Sequence, residues 1–377
     1  MKFSELINKK RMIDDFIELA SIDAESLHEY DLSMALQKKF AAVGVSLQED
    51  DIAEKIGGNA GNLLGRLEGE PGINPIFFMG HMDRVKPGNN VKPIYQDEII
   101  KSSGDTVLGA DDLIACVALL EACRIIGAEK LDHPAIEMIF TVAEEVGLQG
   151  AKNFDFAGLQ SDFGFAIDSD GPIGTIVVQG GYHFSIRAEI TGKTAHAGIE
   201  PEKGISAIKV ASDAISKMRL GRIDDATTAN IGTINGGTAA NIIPGKIVME
   251  GEVRSLERDK AQAIAEEMRQ HLEKAAGTYH ASVNIEIDES YAGFIIDDTE
   301  PVFVLAEKAA KMVGINPIKK SSCGGSDVNI VNASGKRAVN LGAGYKKIHS
   351  TYEFIAVSDM VSLTQYILAI ITQAAAV

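Results

Sequence analysis

The sequence predicts an α/β protein in which a larger domain, a mixed sheet between helices, is interrupted by a smaller α+β domain of ferredoxin-like β-α-β-β-α-β order. Three observations predict it. Short apolar runs of strand length alternate with helical patterns through the first half of the chain. From about Gly181 the rhythm changes to a strand and helix order characteristic of a split βαβ module. Beyond Gly293 helices and short strands resume, as expected when a module is inserted into a larger fold. With 377 residues there is material for two cores, since a single core stops growing at about 250–300 residues. The expected division is 1–181 with 293–377 as one discontinuous domain, and 182–292 as the insertion.

In chain order, Leu6, Met12, Ile13, Phe16, Ile17 and Leu19 recur at helical spacing and predict a helix over 3–20, followed by a second over 26–43. After Gly57-Gly58 the runs 62–67, 75–79, 136–142 and 163–167 read as buried strands, with a helix over 113–126. Within the insertion, 182–191 alternates as a half-buried strand, 205–218 is helical, 230–235 and 246–256 are strands, 260–275 is helical and 283–287 is a strand. A last helix over 360–376 is expected to be capped by Ser358-Asp359.

Composition narrows the function. Thirty-six Lys and Arg against 53 Asp and Glu leave a formal charge of −17, and no basic run offsets it. Such a field repels phosphate backbones and anionic headgroups, so neither nucleic acid nor a membrane surface is an expected partner. The N-terminus carries no secretory pattern, and the apolar stretch 366–377 is broken by Thr372 and Gln373 and too short to span a bilayer. A cytoplasmic location is expected. Cys116, Cys123 and Cys323 form no C-x-x-C pair, and the first two are expected to pack in a core.

The acids and histidines carry the chemistry. Four apolar runs lead into residues able to bind a divalent cation: 77–80 into His81 and Asp83, 107–110 into Asp111-Asp112, 139–143 into Glu144-Glu145, and 165–167 into Asp168. In open α/β sheets, ligands gather beyond the carboxyl ends of strands. Each cluster has a plainer reading: a turn after a strand for Asp83 and Asp168, a helix start for Glu144-Glu145, an N-cap for Asp111-Asp112. His349 likewise reads as a loop residue, with Ser350-x-x-Glu353 as a capping box. Together, however, they supply two imidazoles and three carboxylates, enough for two cations that share one carboxylate, with Asp83 and Glu144 in reserve. Nitrogen and oxygen donors without thiolate favour Zn, with Mn or Co as substitutes.

His81-Met82-Asp83, Gly109-Ala110-Asp111-Asp112, Glu144-Glu145-Val146-Gly147, Asp168 and His349-Ser350-Thr351-Tyr352-Glu353 together resemble the dinuclear zinc peptidases related to peptidase T and glutamate carboxypeptidase, most of all their tripeptidase-like branch. The resemblance implies His81 and Asp168 on one metal, Glu145 and His349 on the other, and Asp111 bridging. It implies Asp83 orienting His81 and Glu144 as general base. It also implies that the insertion is a lid and a homodimerisation domain, whose His196, in 192–198, reaches the other subunit's site to stabilise the oxyanion. Asn241, Arg254 and the loop containing Gly325 resemble substrate contacts, Arg254 for a terminal carboxylate. The expected activity is hydrolysis of short peptides, aminotripeptidase-like. A deacylase or desuccinylase of N-acyl amino acids or a carboxypeptidase would use the same metal chemistry, and a non-hydrolytic peptide-binding protein is the reading from another class.

Overall fold

A sheet with four parallel strands at its centre organises the larger of two units into which the chain divides; the computed structural model describes residues 3–376. This unit comprises the chain up to Val178, Ile295–Lys320 and the chain from Ser326 on; the smaller comprises Gln179–Phe294 and Ser321–Gly325. The division expected from the sequence differs in assigning 179–181, 293–294 and 321–325 to the larger domain.

In the larger unit the strands run in the order Leu47–Glu49, Leu63–Leu67, Ile136–Thr141, Ile76–His81, Phe163–Ser169, Arg337–Gly342 and Thr175–Gly180. The first two and the last are antiparallel to their neighbours, and the four between are mutually parallel. All six residues of Ile76–His81 and of Ile136–Thr141 are buried, which is why both read as nearly unbroken apolar runs. The helix Ala110–Glu129 lies between the sheet and two further helices, Lys9–Ala20 and Val357–Ala374, and is buried on almost every face, so its sequence shows little polar stripe. Cys116 and Cys123 sit within it as free, buried thiols, and burial pushes Cys123 up to about 12.

Two expected boundaries move, for local reasons. The first helix starts at Lys9 because the Asn8 side chain accepts the Arg11 N–H (3.0 Å), and Phe3–Glu5 is a separate 3-10 turn. The last helix starts at Val357 and is not capped by Ser358-Asp359: the strand Phe354–Ala356 feeds straight into it, and the Val357 N–H donates to the Glu98 carbonyl.

The smaller unit is a five-stranded antiparallel sheet in the order Gly221–Asp224, Thr227–Gly236, Lys246–Ser255, Tyr182–Thr191 and Ser282–Tyr291, packed against the helices Ala207–Ile215 and Arg258–Tyr279. All six expected elements are present in ferredoxin-like order. The short strand Gly221–Asp224 is additional; with one apolar residue, Ile223, it has no periodicity to read. Ile186, Ile190, Met249 and Val253 on the strands meet Val210, Ile264, Met268 and Leu272 on the helices, each such side chain contributing about 1.5–3 kcal/mol on burial.

Candidate metal centre

The parallel strands reverse their order of addition between Ile76–His81 and Phe163–Ser169: the chain passes from the first to Ile136–Thr141 on one side, then crosses to the other. A crevice opens at such a switch point, beyond the carboxyl ends of the strands. His81 ends one flanking strand and Asp168 lies near the end of the other. Their pairing matches Met79 with Ala166, and two residues further on that register sets His81 level with Asp168. Asp168 is therefore a strand residue rather than a turn residue.

Asp111 arrives differently. The run 107–110 is not a strand: it is a loop whose Leu108 and Gly109 N–H groups donate to Glu353 Oε2 (2.7 and 2.8 Å), while the Asp111 N–H donates to Oε1 (3.1 Å). Asp111 and Asp112 depart from helical angles, and neither caps the helix through its side chain. Gly80 makes this approach possible, since a Cβ there would lie 2.5 Å from both Asp112 Oδ2 and the Ala115 methyl.

Glu144-Glu145 opens no helix either. The pair stands in a turn beyond Ile136–Thr141, and the next helix begins at Gln149. Four successive N–H groups enter this turn, each accepted by a side chain: Val142 by Asn62 Oδ1 (3.1 Å), Ala143 by Glu29 Oε1 (3.0 Å), Glu144 by Asp83 Oδ1 (2.9 Å) and Glu145 by Asp83 Oδ2 (3.2 Å). Ser26 also donates to Asp83 Oδ2 (2.7 Å). The Asp83 carboxylate is thus spent chiefly on the Glu144-Glu145 backbone, 3.5 Å from His81 Nδ1. The closer partner of Nδ1 is the Asp83 backbone carbonyl at 3.0 Å, which can only accept, so Nδ1 carries the proton and Nε2 is left to ligate.

His349 comes from the other end of the chain. Lys346 and Phe354 exchange backbone hydrogen bonds at the neck of its loop, and Phe354–Ala356 pairs with Ile99–Lys101 beneath. Ser350-x-x-Glu353 caps no helix; Glu353 instead holds the Asp111 loop.

These side chains converge. His81 Nε2 lies 3.2 Å from Asp111 Oδ1 and 3.7 Å from Asp168 Oδ1, and His349 Nε2 lies 2.9 Å from Glu145 Oε1 and 3.4 Å from Asp111 Oδ2. Donor atoms of His81, Asp111 and Asp168 all fall within 4.8 Å of one another, as do those of Asp111, Glu145 and His349 and those of His81, Glu144 and Glu145. The first two triads share Asp111, one oxygen toward each histidine. Two imidazoles and three carboxylates in this arrangement fit two divalent cations.

The electrostatics express the same demand for positive charge. Burial opposes charging His81, yet hydrogen bonds to Asp111, Asp168 and Asp83 hold it well above the usual imidazole range. Hydrogen bonds to Asp111 and Glu145 raise His349 to about 10. Burial tends to raise Asp111, but His349 and His81 outweigh it and keep it ionised. Burial and the Asp168 charge push Glu144 well above the carboxylate range, and burial takes Asp168 to about 6. Asp327, which accepts the Thr141 hydroxyl (2.6 Å), is pushed by burial to about 7. Sequence reasoning missed Glu29 and Asn62 as parts of this neighbourhood; only the long-range hydrogen bonds reveal them.

The remaining candidates belong to the smaller unit. His196 is exposed, and its Nδ1 accepts the Gly198 N–H (3.1 Å). An antiparallel bridge of His196 with Ile242, and the Ala197 N–H donated to the Asn241 carbonyl, bring the His196 and Asn241 loops together. Arg254 stands opposite His183, and His183 opposite Tyr291, on adjoining strands. Glu252 already holds the Arg254 fork through Nε and Nη2 (3.1 and 3.0 Å). Gly325 packs on the Tyr291 ring so closely that a Cβ would overlap its hydroxyl.

Comparison with known proteins agrees with this architecture. The peptidase dimerisation domain of the M20 class matches residues 181–280, and peptidase family M28 matches 62–180. Peptidase T of Clostridium perfringens is 30% identical over 291 residues, covering 74% of this chain and 69% of its own. The solved aminopeptidase PepT of Bacillus cereus is 41% identical with a TM-score of 0.87, over 98% of this chain and all of that one. A solved tripeptidase of Staphylococcus aureus is 38% identical with a TM-score of 0.93, over 99% of this chain and all of that one. The chain is a peptidase T-like member of the M20 peptidase family. As an M20 peptidase it is an enzyme, which removes the reading as a non-hydrolytic binding protein. Among the described residues, no helix of this peptidase is long and apolar enough to cross a membrane.

Proposed function

We propose that this M20 peptidase is a cytoplasmic, dinuclear metal-dependent enzyme that removes residues from short peptides, with aminotripeptidase-like specificity. The observation that carries the proposal is the pair of donor triads sharing Asp111. In this reading His81 and Asp168 hold one ion, Glu145 and His349 the other, and Asp111 bridges them; Zn suits the mixed imidazole and carboxylate donors. Bound divalent cations supply Lewis acidity, making water acidic near neutral pH and polarising the scissile carbonyl.

The chain's own residues do the rest. Glu144, beside Glu145 but not shared with His349 or Asp168, accepts a proton from the attacking water at a carboxylate oxygen as the new C–O bond forms. It then delivers that proton to the departing amine nitrogen as the C–N bond breaks. Burial and the Asp168 charge push Glu144 upward; bound cations would offset the Asp168 charge while the burial remains, leaving Glu144 able to take a proton and hold it between the two steps. His196, contributed by a second copy of the chain, donates to the oxyanion from its ring N–H. Asn241, Arg254 and the Gly325 loop receive the substrate; with Glu252 on its fork, Arg254 meets a terminal carboxylate through the rest of its guanidinium.

The test is E144Q. The variant is expected to keep the wild-type metal content by elemental analysis and lose most turnover of free tripeptides; turnover near the wild type would remove Glu144 as base. Running N-acyl amino acids beside the tripeptides, with products identified by mass spectrometry, separates the peptidase reading from a deacylase, and the terminus released separates it from a carboxypeptidase.

A further inference from the structure

Glu29 has no part in the metal centre, yet it is among the least expected residues in the molecule. Its side chain is fully buried in the loop before the helix Tyr30–Ala41. One oxygen, Oε1, accepts the N–H groups of Leu27 (2.9 Å) and Ala143 (3.0 Å), while Oε2 is buried with no hydrogen-bond partner. Burying a carboxyl with half its acceptor capacity unused is costly, and a side chain placed so is retained for what its other oxygen holds.

What it holds is the hinge of the acid turn. Ala143 has φ of +51°, in the left-handed region that a residue with a Cβ avoids. The chain needs that conformation here, because it turns the backbone out of Ile136–Thr141 and sets Glu144 and Glu145 diverging from adjacent positions. No glycine makes the turn cheap. The Ala143 N–H is oriented by Glu29, the N–H groups on either side by Asn62 and Asp83, and Gln149 donates back to the Ala143 carbonyl. Without the Glu29 acceptor, the peptide unit before Ala143 keeps only its carbonyl anchor, Val142 O accepting the Gly150 N–H (3.0 Å), and φ is less constrained to stay positive. A rotation there acts first on Glu144, the residue directly after the hinge, while the N–H groups of Glu144 and Glu145 stay on the two Asp83 oxygens.

We propose that Glu29 is a positioning residue for hydrolysis: it clamps the Ala143 N–H and thereby aims Glu144 at the water it deprotonates. The proposal rests on the reading of Glu144 as general base. Glu29 touches neither substrate nor cation, and acts only through the turn.

The experiment follows trialanine hydrolysis by the metal-loaded full chain, with metal per chain measured for every variant. E29A removes the acceptor, and kcat is expected to fall roughly ten- to a hundredfold, the scale set by sub-ångström misplacement of a reacting group, with KM and metal content unchanged. E29Q keeps an oxygen for the same N–H groups and is expected to recover kcat to within about threefold of the wild type. Should E29A fail to fold, E29D replaces it: one methylene shorter, it withdraws the oxygen, and the same fall in kcat is expected. A folded E29A or E29D with wild-type kcat overturns the proposal, as does a loss confined to KM or to metal content. E29Q as impaired as E29A also overturns it, since the acceptor oxygen would then not be what matters. E144Q run alongside separates the two levels. Wild-type turnover in E144Q overturns the base reading and this proposal with it, whereas an inactive E144Q beside a fully active E29A overturns the proposal alone.

Discussion

Glu252 shows how a single carboxylate can be tuned away from the chemistry. The His183 imidazole, with Nε2 3.1 Å from Oε2, reinforced by the Arg254 fork and opposed by burial, holds it at about 2 instead of the usual 4.5. The folded state therefore binds this proton less readily than the unfolded one. The stabilisation is fully present above about pH 4.5 and is lost as pH falls toward 2. Urea unfolding of wild type and E252Q at pH 5 and pH 3 should show the wild type losing more stability over that interval; parallel losses would contradict the assignment. The same residue occupies the guanidinium fork of Arg254. From sequence, Arg254 is a candidate contact for a terminal carboxylate; that Glu252, two residues earlier on the same strand face, occupies its fork is a matter of rotamers and of His183 across the ladder.

Glu353 ties separate elements together. Its two oxygens accept three N–H groups of the loop leading into Ala110–Glu129, while four residues earlier His349 reaches Asp111 and Glu145. One short segment thus supplies a ligand candidate and fixes the backbone of the residue expected to bridge. E353A should weaken cation binding to the stripped protein about ten- to a hundredfold, read by titration calorimetry, with the fold retained by circular dichroism. Unaltered affinity would show that the Asp111 loop holds itself. Strand and helix identities were legible wherever burial was one-sided or complete: 182–191 alternates, and 136–141 and 76–81 are solidly apolar. What escaped were features with no period. The run 107–110 is as apolar as the buried strands, but the N–H groups of Leu108 and Gly109 are spent on a carboxylate 245 and 244 residues away.

At the scale of the whole molecule, a small part of the acid excess gathers in one place. Of the 53 acidic residues, Asp83, Asp111, Asp112, Glu144 and Asp327 are buried together near two histidines, an arrangement that bound cations would relieve. The match of residues 181–280 to a peptidase dimerisation domain bears on His196, which is exposed in its own unit. If a second copy delivers it, E144Q and H196A homodimers should each be nearly inactive. Mixed and reassembled, they should regain part of the wild-type rate, because one site of each heterodimer holds both an intact Glu144 and an intact His196. Heterodimers verified by mass spectrometry and still inactive would place the histidine's action elsewhere.

The sequence by itself determined the α/β class, the inserted β-α-β-β-α-β module and the identities of the chemical groups, because periodicity and apolar runs report burial along a single element. It also placed His81, Glu144-Glu145 and Asp168 at or just beyond the ends of buried strands. Only the tertiary structure decided which oxygen faces which nitrogen: that Asp111 stands between His81 and His349, that Asp83 serves the Glu144-Glu145 backbone more than His81, and that Glu29 and Glu353 hold the two turns in place. Hydrogen bonds between residues 30 to 245 positions apart leave no local pattern, since their energy depends on geometry that exists only once the sheet has closed over its switch point.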